Sequence, residues 1–157
     1  IAKQPHIQAL LTGKEGPRFH RTYLAIAQGH FERPEGEIAL PIRRKPTSFI
    51  EQETHEDGKP AVTRWRVLAE TAEVSLVELR PVTGRTHQLR VPPAAVGCPI
   101  LGDDLYGKPS PLIARQALHA CRLDLVHPVM KKPLTVEAPL PEDFLRVMEA
   151  CRVNRPE

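Results

Sequence analysis

The segment Arg80-Pro-Val-Thr-Gly-Arg-Thr-His-Gln-Leu-Arg90 concentrates hydrogen-bond donors at one corner of the chain. Pro81 closes the apolar stretch before it, because proline cannot donate to a β-ladder, and Gly84 permits a tight turn. Thr86 is a residue type that caps helices. The corner gathers arginines, a histidine and a glutamine, which suits phosphate, carboxylate or base edges, although a solvated surface corner would have the same composition.

Hydrophobic alternation in the rest of the chain predicts an α+β fold in which strands are joined by hairpins. Polar residues 70–73 fit a hairpin turn, and residues 30–60 predict a long irregular connection that contains one short strand. Strands are expected near residues 21–27, 36–41, 61–69, 74–80, 117–126 and 134–138, and helices near residues 3–19 and 142–152. The predicted fold class is therefore a mixed, mainly antiparallel sheet with flanking helices.

Composition restricts the functional class only weakly. The 157 residues include 22 Lys+Arg and 19 Asp+Glu, and the net charge of +3 is compatible with a polyanionic partner without requiring one. Three distant cysteines and seven histidines lack ligand spacings such as CxxC or HExxH. No metal site or disulfide is predicted, and a reducing, cytoplasmic setting is the default. No apolar run approaches the roughly 20 residues that span a bilayer.

Several ordered stretches of the chain resemble the signature segments of one known family. These stretches are Arg21–Gly29, Gly58–Leu68, Leu79–Val91, Gly97–Gly107 and Leu118–Pro128. In this order they resemble the motifs of RluA-type RNA pseudouridine synthases, and the resemblance covers nearly the whole chain. It implies a pseudouridine synthase-like fold in which residues 1–157 correspond to the C-terminal portion of the catalytic domain.

The resemblance also implies a reaction and a set of site residues. Enzymes of this family isomerise uridine to pseudouridine in structured RNA, either ribosomal or transfer RNA, without a cofactor. Tyr23 corresponds to a tyrosine that stacks near the target base, and Arg90 to an arginine that pairs with the catalytic aspartate and keeps it ionised. The candidate RNA-binding residues are Arg85, Thr86, His87, Gln88, Arg43 and Arg44.

The catalytic aspartate of the family stands in a histidine-arginine-leucine-aspartate motif, which has no counterpart here. The aspartates of this chain are Asp57, Asp103, Asp104, Asp124 and Asp143. Because the family places its motif shortly before a segment like residues 1–3, we expect a domain that is incomplete at its N-terminus and inactive as this chain alone. Arg90 should then be balanced by solvent, a bound anion or another acid.

Two other functional classes compete with an RNA-modifying isomerase. One is a catalytically silent RNA-binding module or ribosome-assembly factor that retains the same fold. The other, more remote, is an unrelated basic α+β interaction domain, which the order of the motifs disfavours. The first two alternatives differ in whether the protein carries the nucleophile motif.

The segment Val91-Pro92-Pro93 departs from the family, in which a helix continues through this position. Proline inside a helix removes a hydrogen bond and costs roughly 3 kcal/mol, whereas proline in the first helical turn is harmless. We therefore expect any regular helix to start at about Val91 or Pro92 and to end near Gly97. Residues 85–90 should form an irregular turn.

Overall fold

The computed structural model describes residues 3–12 and 19–154. The strands are β1 (His20–Gln28), β2 (Glu35–Ala39), β3 (Ile42–Arg44), β4 (Gln52–Thr54), β5 (Val62–Glu70), β6 (Val74–Pro81), β7 (Leu118–Val126) and β8 (Pro133–Glu137), and the helices are α1 (Pro5–Thr12), α2 (Val91–Ala95) and α3 (Glu142–Ala150). None of these helices is long and apolar enough to cross a membrane.

In the part of the chain that is described, six strands form one sheet in the order β2-β5-β6-β1-β7-β8, and β3 and β4 form a separate ribbon. Every strand pair of the large sheet is antiparallel. The β5–β6 hairpin turns at residues 71–73, within the predicted polar turn. The predicted α+β fold with a mainly antiparallel sheet is confirmed.

The connection over residues 30–60 is more regular than its composition predicts. One short strand was expected there, and the structure contains β2, β3 and β4. Strands β3 and β4 have three residues each, which is too short for alternation to be recognised, and they exist because they pair with each other. The helix predicted over residues 3–19 is present as α1 up to Thr12, and residues 13–18 lie outside the described residues.

The core is centred on β1 and β6, whose middle residues are buried on both faces of the sheet. Strict alternation is lost there because both faces are covered. Helix α3 covers part of the sheet with the apolar side chains of Phe144, Val147 and Met148, all of which belong to the core cluster. The C-terminal helix predicted over residues 142–152 is thus confirmed, although it ends at Ala150.

Strand register assigns the residues of β5, β6 and β1 to two faces of the sheet, because directly opposed residues of antiparallel strands point the same way. The first face, called the Tyr23 face, carries the opposed residues Tyr23, Leu79 and Trp65. The second, called the Arg66 face, carries the opposed residues Leu24, Glu78 and Arg66. Candidate functional side chains occur on both faces.

The helix that follows the donor-rich corner is short and starts where the prolines predict. Helix α2 spans Val91–Ala95, so that Pro92 lies in its first turn, where the missing N–H needs no partner. Residues 86–90 form turns instead of a helix, and His87 has a φ of +53°, in the left-handed region. The predicted helix start and the predicted irregular turn are both confirmed.

Candidate functional site

Arg90 lies at the start of α2 and forms a two-pronged ion pair with Asp103. Its Nε is 2.7 Å from Asp103 Oδ2 and its Nη2 is 2.6 Å from Asp103 Oδ1. The Asp103 side chain is fully buried, and Oδ1 also accepts the backbone N–H groups of Leu105 and Tyr106, each at 3.1 Å. Solvent, a bound anion or another acid was expected to balance the charge of Arg90, and in the structure another acid, Asp103, does so.

The electrostatics of this pair explain how a carboxylate remains charged inside the protein. Burial by itself raises the pKa of Asp103, but the hydrogen bond from Arg90, the backbone N–H donors and the positive charge of Arg90 outweigh it. The net pKa of Asp103 lies below its ordinary value. The hydrogen bond to Asp103 raises the pKa of Arg90 in turn, so both groups are ionised at neutral pH.

Gly102 allows the chain to deliver Asp103 to Arg90. Its φ is +75°, which glycine adopts readily, and a Cβ at this position would lie 2.5 Å from the carbonyl oxygen of Arg115. A side chain is therefore excluded by both conformation and space. Residues 102–107, the last part of the family-like stretch Gly97–Gly107, therefore place a carboxylate in contact with Arg90.

Tyr106 links this ion pair to His87 and to the β3–β4 ribbon. Its hydroxyl accepts the backbone N–H of Gln52 at 2.8 Å and lies 2.6 Å from Nδ1 of His87, while Arg90 lies over its ring at 5.1 Å. Because the hydroxyl oxygen already accepts one hydrogen bond, its proton can be donated to Nδ1. When the hydroxyl donates in this way, the proton of a neutral His87 is on Nε2.

The His87 ring is disfavoured in its charged form. Burial lowers the pKa of His87, the neighbouring charge of Arg90 lowers it further, and Asp103 opposes both effects. These effects favour the neutral imidazole form of His87. Sequence reasoning selected His87 but missed Tyr106, for which the resemblance of residues 97–107 to a family motif was the available signal.

Gln88 has a different position from the one expected of an RNA-binding residue. It is buried, and its Oε1 accepts hydrogen bonds from the Thr83 hydroxyl at 2.7 Å and the Arg85 N–H at 2.9 Å. Its Nε2 donates to the Val62 carbonyl at 2.8 Å and to the Thr63 hydroxyl at 3.0 Å. Both acceptor positions and both donor hydrogens are used, so the expectation of an RNA contact is corrected: Gln88 fastens the corner to β5.

The other candidate RNA-binding residues differ in how exposed they are and in whether an acid already neutralises them. Arg85 is exposed, although its Nε donates to the Pro60 carbonyl at 2.9 Å, and Thr86 is exposed beside it. On β3, Arg43 is neutralised by Glu53 at 2.7 Å and by Asp57 at 3.5 Å, while the neighbouring Arg44 is exposed. The ribbon that carries Arg43 and Arg44 approaches the corner through the Gln52–Tyr106 hydrogen bond.

Tyr23 lies on the same face of the sheet as the corner. Thr63 and Trp65 are two residues apart on β5 and point the same way, and Trp65 shares the Tyr23 face. Because Gln88 bonds to the Thr63 hydroxyl, the segment that carries Arg90 packs over that face. Tyr23 itself is half-buried and packs against the core, and none of the described hydrogen bonds joins it to Arg90.

The five aspartates differ in their access to a substrate. Asp103 is fully buried, and Asp143 pairs with Arg115. Hydrogen bonds from Arg122 and Thr135 lower the pKa of Asp124 to about 2 within β7. Asp104 is exposed and lies 3.7 Å from Arg90. Within residues 3–12 and 19–154, no three acidic, histidine or cysteine side chains are placed to share a metal ion.

Comparisons with known proteins agree with the resemblance. A family profile described as RNA pseudouridylate synthase matches residues 2–95. The uncharacterised RNA pseudouridine synthase YhcT of Bacillus subtilis is 45% identical over 126 residues, which cover 79% of this chain and 42% of that protein. The ribosomal large subunit pseudouridine synthase D of Haemophilus ducreyi is 37% identical over 168 residues, with coverage of 98% and 50%.

Solved structures support the same assignment. Human RNA Pseudouridylate Synthase Domain Containing 4 aligns with a TM-score of 0.71 at 26% identity, over 97% of this chain and 68% of that one. The corresponding human protein Domain Containing 1 aligns with a TM-score of 0.66 at 28% identity, over 89% and 69%. The chain spans about half the length of the curated relatives it matches. It belongs to the RNA pseudouridylate synthase family, in agreement with its RluA-type motifs.

Proposed function

We propose that this chain is part of a cytoplasmic enzyme that isomerises uridine to pseudouridine in RNA. The observation that carries the proposal is the placement of Arg90 and the corner over the same sheet face as Tyr23. Several relatives are named ribosomal large subunit pseudouridine synthase D, which favours ribosomal over transfer RNA as the substrate. The chain would supply part of the catalytic domain. The nucleophile would come from a segment that precedes the position of residues 1–3 in the family.

Each site residue has a proposed task that follows from its geometry. Tyr23 would contact the target base. The bonds to Asp103 use Nε and Nη2 of Arg90, which makes Nη1 the nitrogen that would face the nucleophilic carboxylate. His87 would donate its Nε2–H to a base or phosphate oxygen. The remaining RNA contacts are proposed for Arg85, Thr86, Arg43 and Arg44, whereas Gln88 would position the corner.

A catalytically silent RNA-binding module is the second candidate, and one observation favours it. Asp103, the acid that contacts Arg90 directly, is fully buried and cannot reach a ribose carbon. Arg90 is therefore stable without a nucleophile beside it, as a module that had lost catalysis would require. The two candidates differ in whether a nucleophile motif supplied in the correct place restores the reaction.

The deciding experiment supplies that motif. The upstream half of YhcT, whose matching part is 45% identical to this chain, is fused before Ile1, and ribosomal and transfer RNA are then mapped for pseudouridine. We expect new pseudouridine from the fusion, none from the 157-residue chain alone, and none from a fusion that carries Arg90→Ala.

The controls separate the possible outcomes. A fusion that folds and binds RNA but makes no pseudouridine would favour the silent module. Pseudouridine made by the unfused chain would contradict the missing nucleophile, and Asp104→Asn would then test the exposed acid nearest to Arg90. The fusion with Tyr23→Phe, which keeps the ring, measures the part played by the Tyr23 hydroxyl.

A further inference from the structure

An open cleft of about 1450 Å³ lies on the Arg66 face, on the side of the sheet opposite the Tyr23 face. The cleft, called the arginine cleft, contains five arginines: Arg21, Arg64, Arg66, Arg80 and Arg122. These arginines lie in different segments of the sequence, and the sheet gathers them on one surface. The side chains of the last four arginines are between 48% and 70% exposed, so they can reach a ligand.

Two of these arginines are direct neighbours across the β5–β6 ladder. Arg64 lies directly opposite Arg80 in the β5–β6 ladder, and like charges in opposed positions destabilise a strand pair. Arg66 and Arg80 share one carboxylate, that of the nearly buried Glu78, at 3.3 Å and 3.0 Å. Arg64 is 3.3 Å from Glu37 on β2, and Arg122 is paired with Asp124. Because Arg66 and Arg80 have one carboxylate between them, the acids compensate the cluster only in part.

The charge that remains in the cleft is positive. Among the described residues that line it are five arginines and three acids, Glu78, Asp124 and Glu137. Glu37, which pairs with Arg64 from β2, is a fourth acid, so an excess of one positive charge remains. At the rim, the guanidinium of Arg21 lies 5.2 Å from the ring centre of Phe19. A basic groove with an aromatic ring beside it is the arrangement with which proteins hold single-stranded nucleic acid.

We propose that the arginine cleft binds the phosphate backbone of a single-stranded segment of the RNA, remote from the Tyr23 face. The inference rests on the proposed action on RNA and adds a second contact surface to it. Guanidinium groups bind phosphate in a two-pronged manner, and negative phosphates between Arg64 and Arg80 relieve their repulsion. A single strand, unlike a duplex, has unpaired bases that can stack on an aromatic ring at the rim.

The test measures binding of a fluorescein-labelled oligouridylate to the 157-residue chain by fluorescence anisotropy at several salt concentrations. The cleft variant is Arg64→Gln/Arg80→Gln, which removes the opposed charges while keeping a polar, unbranched side chain. For single strands each lost phosphate contact lowers the salt slope by about 0.7, so we expect a decrease of about 1.4. The same relation predicts an affinity loss on the order of tenfold or more at about 0.1 M salt.

A matched control removes the same charge elsewhere. Lys3→Gln/Arg146→Gln alters two exposed cations outside the cleft, one before α1 and one on α3. Both double variants are checked for folding by circular dichroism and thermal unfolding. If the cleft variant does not fold, the single variants Arg64→Gln and Arg80→Gln are measured. Each should lower the salt slope by about 0.7, which is half of the decrease expected for the double variant.

The outcomes separate the cleft from the proposed function. Unchanged RNA affinity in the cleft variant, or a loss equal to that of the control, would overturn the cleft proposal. So would an equal loss for a labelled oligoglutamate peptide, which would indicate an acidic protein partner. If Arg44→Gln/Arg85→Gln weakens RNA binding and the cleft variant does not, the proposed function stands and the cleft proposal is wrong. A wild-type chain that binds no RNA would contradict the proposed function itself.

Discussion

At the scale of single residues, Gln88 and Arg90 lie two positions apart and use most of their polar atoms inside the protein. The Gln88 amide makes four hydrogen bonds, and Arg90 is paired with a buried acid. Buried polar networks of this kind hold one conformation because each unpaired member would be costly. Arg85, Thr86 and His87 can therefore be presented from a turn that has little regular structure of its own.

Replacement of Gln88 should show that it fastens the corner. Gln88→Leu keeps the approximate volume but leaves the Thr63 hydroxyl, the Val62 carbonyl and the Arg85 N–H without this partner. We expect a loss of about 1–3 kcal/mol in the free energy of unfolding, measured with urea. The control is Gln8→Leu on the exposed side of α1, which should change stability by less than about 0.5 kcal/mol. Equal effects of the two substitutions would contradict the fastening role.

The Arg90–Asp103 pair should make stability depend on acid pH. Because the folded pKa of Asp103 lies below its unfolded value of about 3.9, the pair stabilises the protein fully above that pH. This contribution is lost as the pH falls through the folded pKa. Asp103→Asn should cost roughly 3 kcal/mol or more at pH 7, since Arg90 loses its buried partner, and should flatten the decline of stability in acid.

Urea unfolding at neutral and acidic pH measures both effects. The control is Asp104→Asn, because the neighbouring Asp104 side chain is 75% exposed and its contact with Arg90 is 3.7 Å long. That substitution should change stability little at any pH. A wild-type chain whose stability is constant from pH 5 to about pH 3 would contradict the prediction that ionised Asp103 stabilises the folded protein.

At the scale of elements, α2 shows how proline chemistry sets a helix boundary. Pro92 is acceptable in the first turn, and the N–H of Ala94 already donates to the Arg90 carbonyl. The left-handed conformation of His87 prevents helix from extending back through the corner. Local chemistry and tertiary contacts therefore agree on where the helix begins.

Pro92→Ala should not lengthen α2, because His87 and the Gln88 hydrogen bonds hold the corner independently of the proline. We expect an unchanged circular dichroism signal at 222 nm. Stability should fall by about 0.4–1 kcal/mol, since the unfolded chain gains freedom, with a further loss from the buried ring. Pro109→Ala in an exposed loop supplies the control for the unfolded-state effect. A gain in helical signal equivalent to one turn would show that proline alone had limited the helix.

At the scale of the whole molecule, positive charge is found both on the Arg66 face of the large sheet and on the β3–β4 ribbon, and neighbouring acids determine which arginines are available to a ligand. Arg43 is balanced by Glu53 and Asp57, whereas Arg44 is exposed at the end of β3. RNA binding that depends on phosphate contacts weakens as salt rises. The chain should therefore bind RNA in a salt-sensitive way even without catalysis.

The adjacent arginines provide a matched pair for this expectation. Arg44→Ala should weaken RNA binding and lower the salt slope by about 0.7 for a single strand, because one phosphate contact is lost. Arg43→Ala should have a smaller effect, since its charge is already neutralised within the ribbon. Anisotropy titrations at low and high salt compare the two. Affinity that does not respond to salt, or a larger effect of Arg43→Ala, would contradict the prediction.

The amino-acid sequence alone determined the family, the long strands and the start of α2. Each of these depends on local chemistry: alternation at the start of β5, the apolar run of β6 that Pro81 closes, and the missing N–H of Pro92. Ordered motifs added the resemblance from which Tyr23 and Arg90 were selected. Strands, helix starts and family motifs each depend on residue types at nearby positions in one segment, so the sequence alone was enough to predict them.

Only the tertiary structure decided which residues meet. It paired Arg90 with Asp103, used all of the Gln88 amide inside the protein, and placed Arg64 opposite Arg80. Most of these contacts join residues between 13 and 26 positions apart and depend on strand register, loop path and burial, which no local pattern encodes. A shift of one residue in the β5–β6 register would move every arginine of β5 to the other face, so the arginine cleft is a property of the folded sheet.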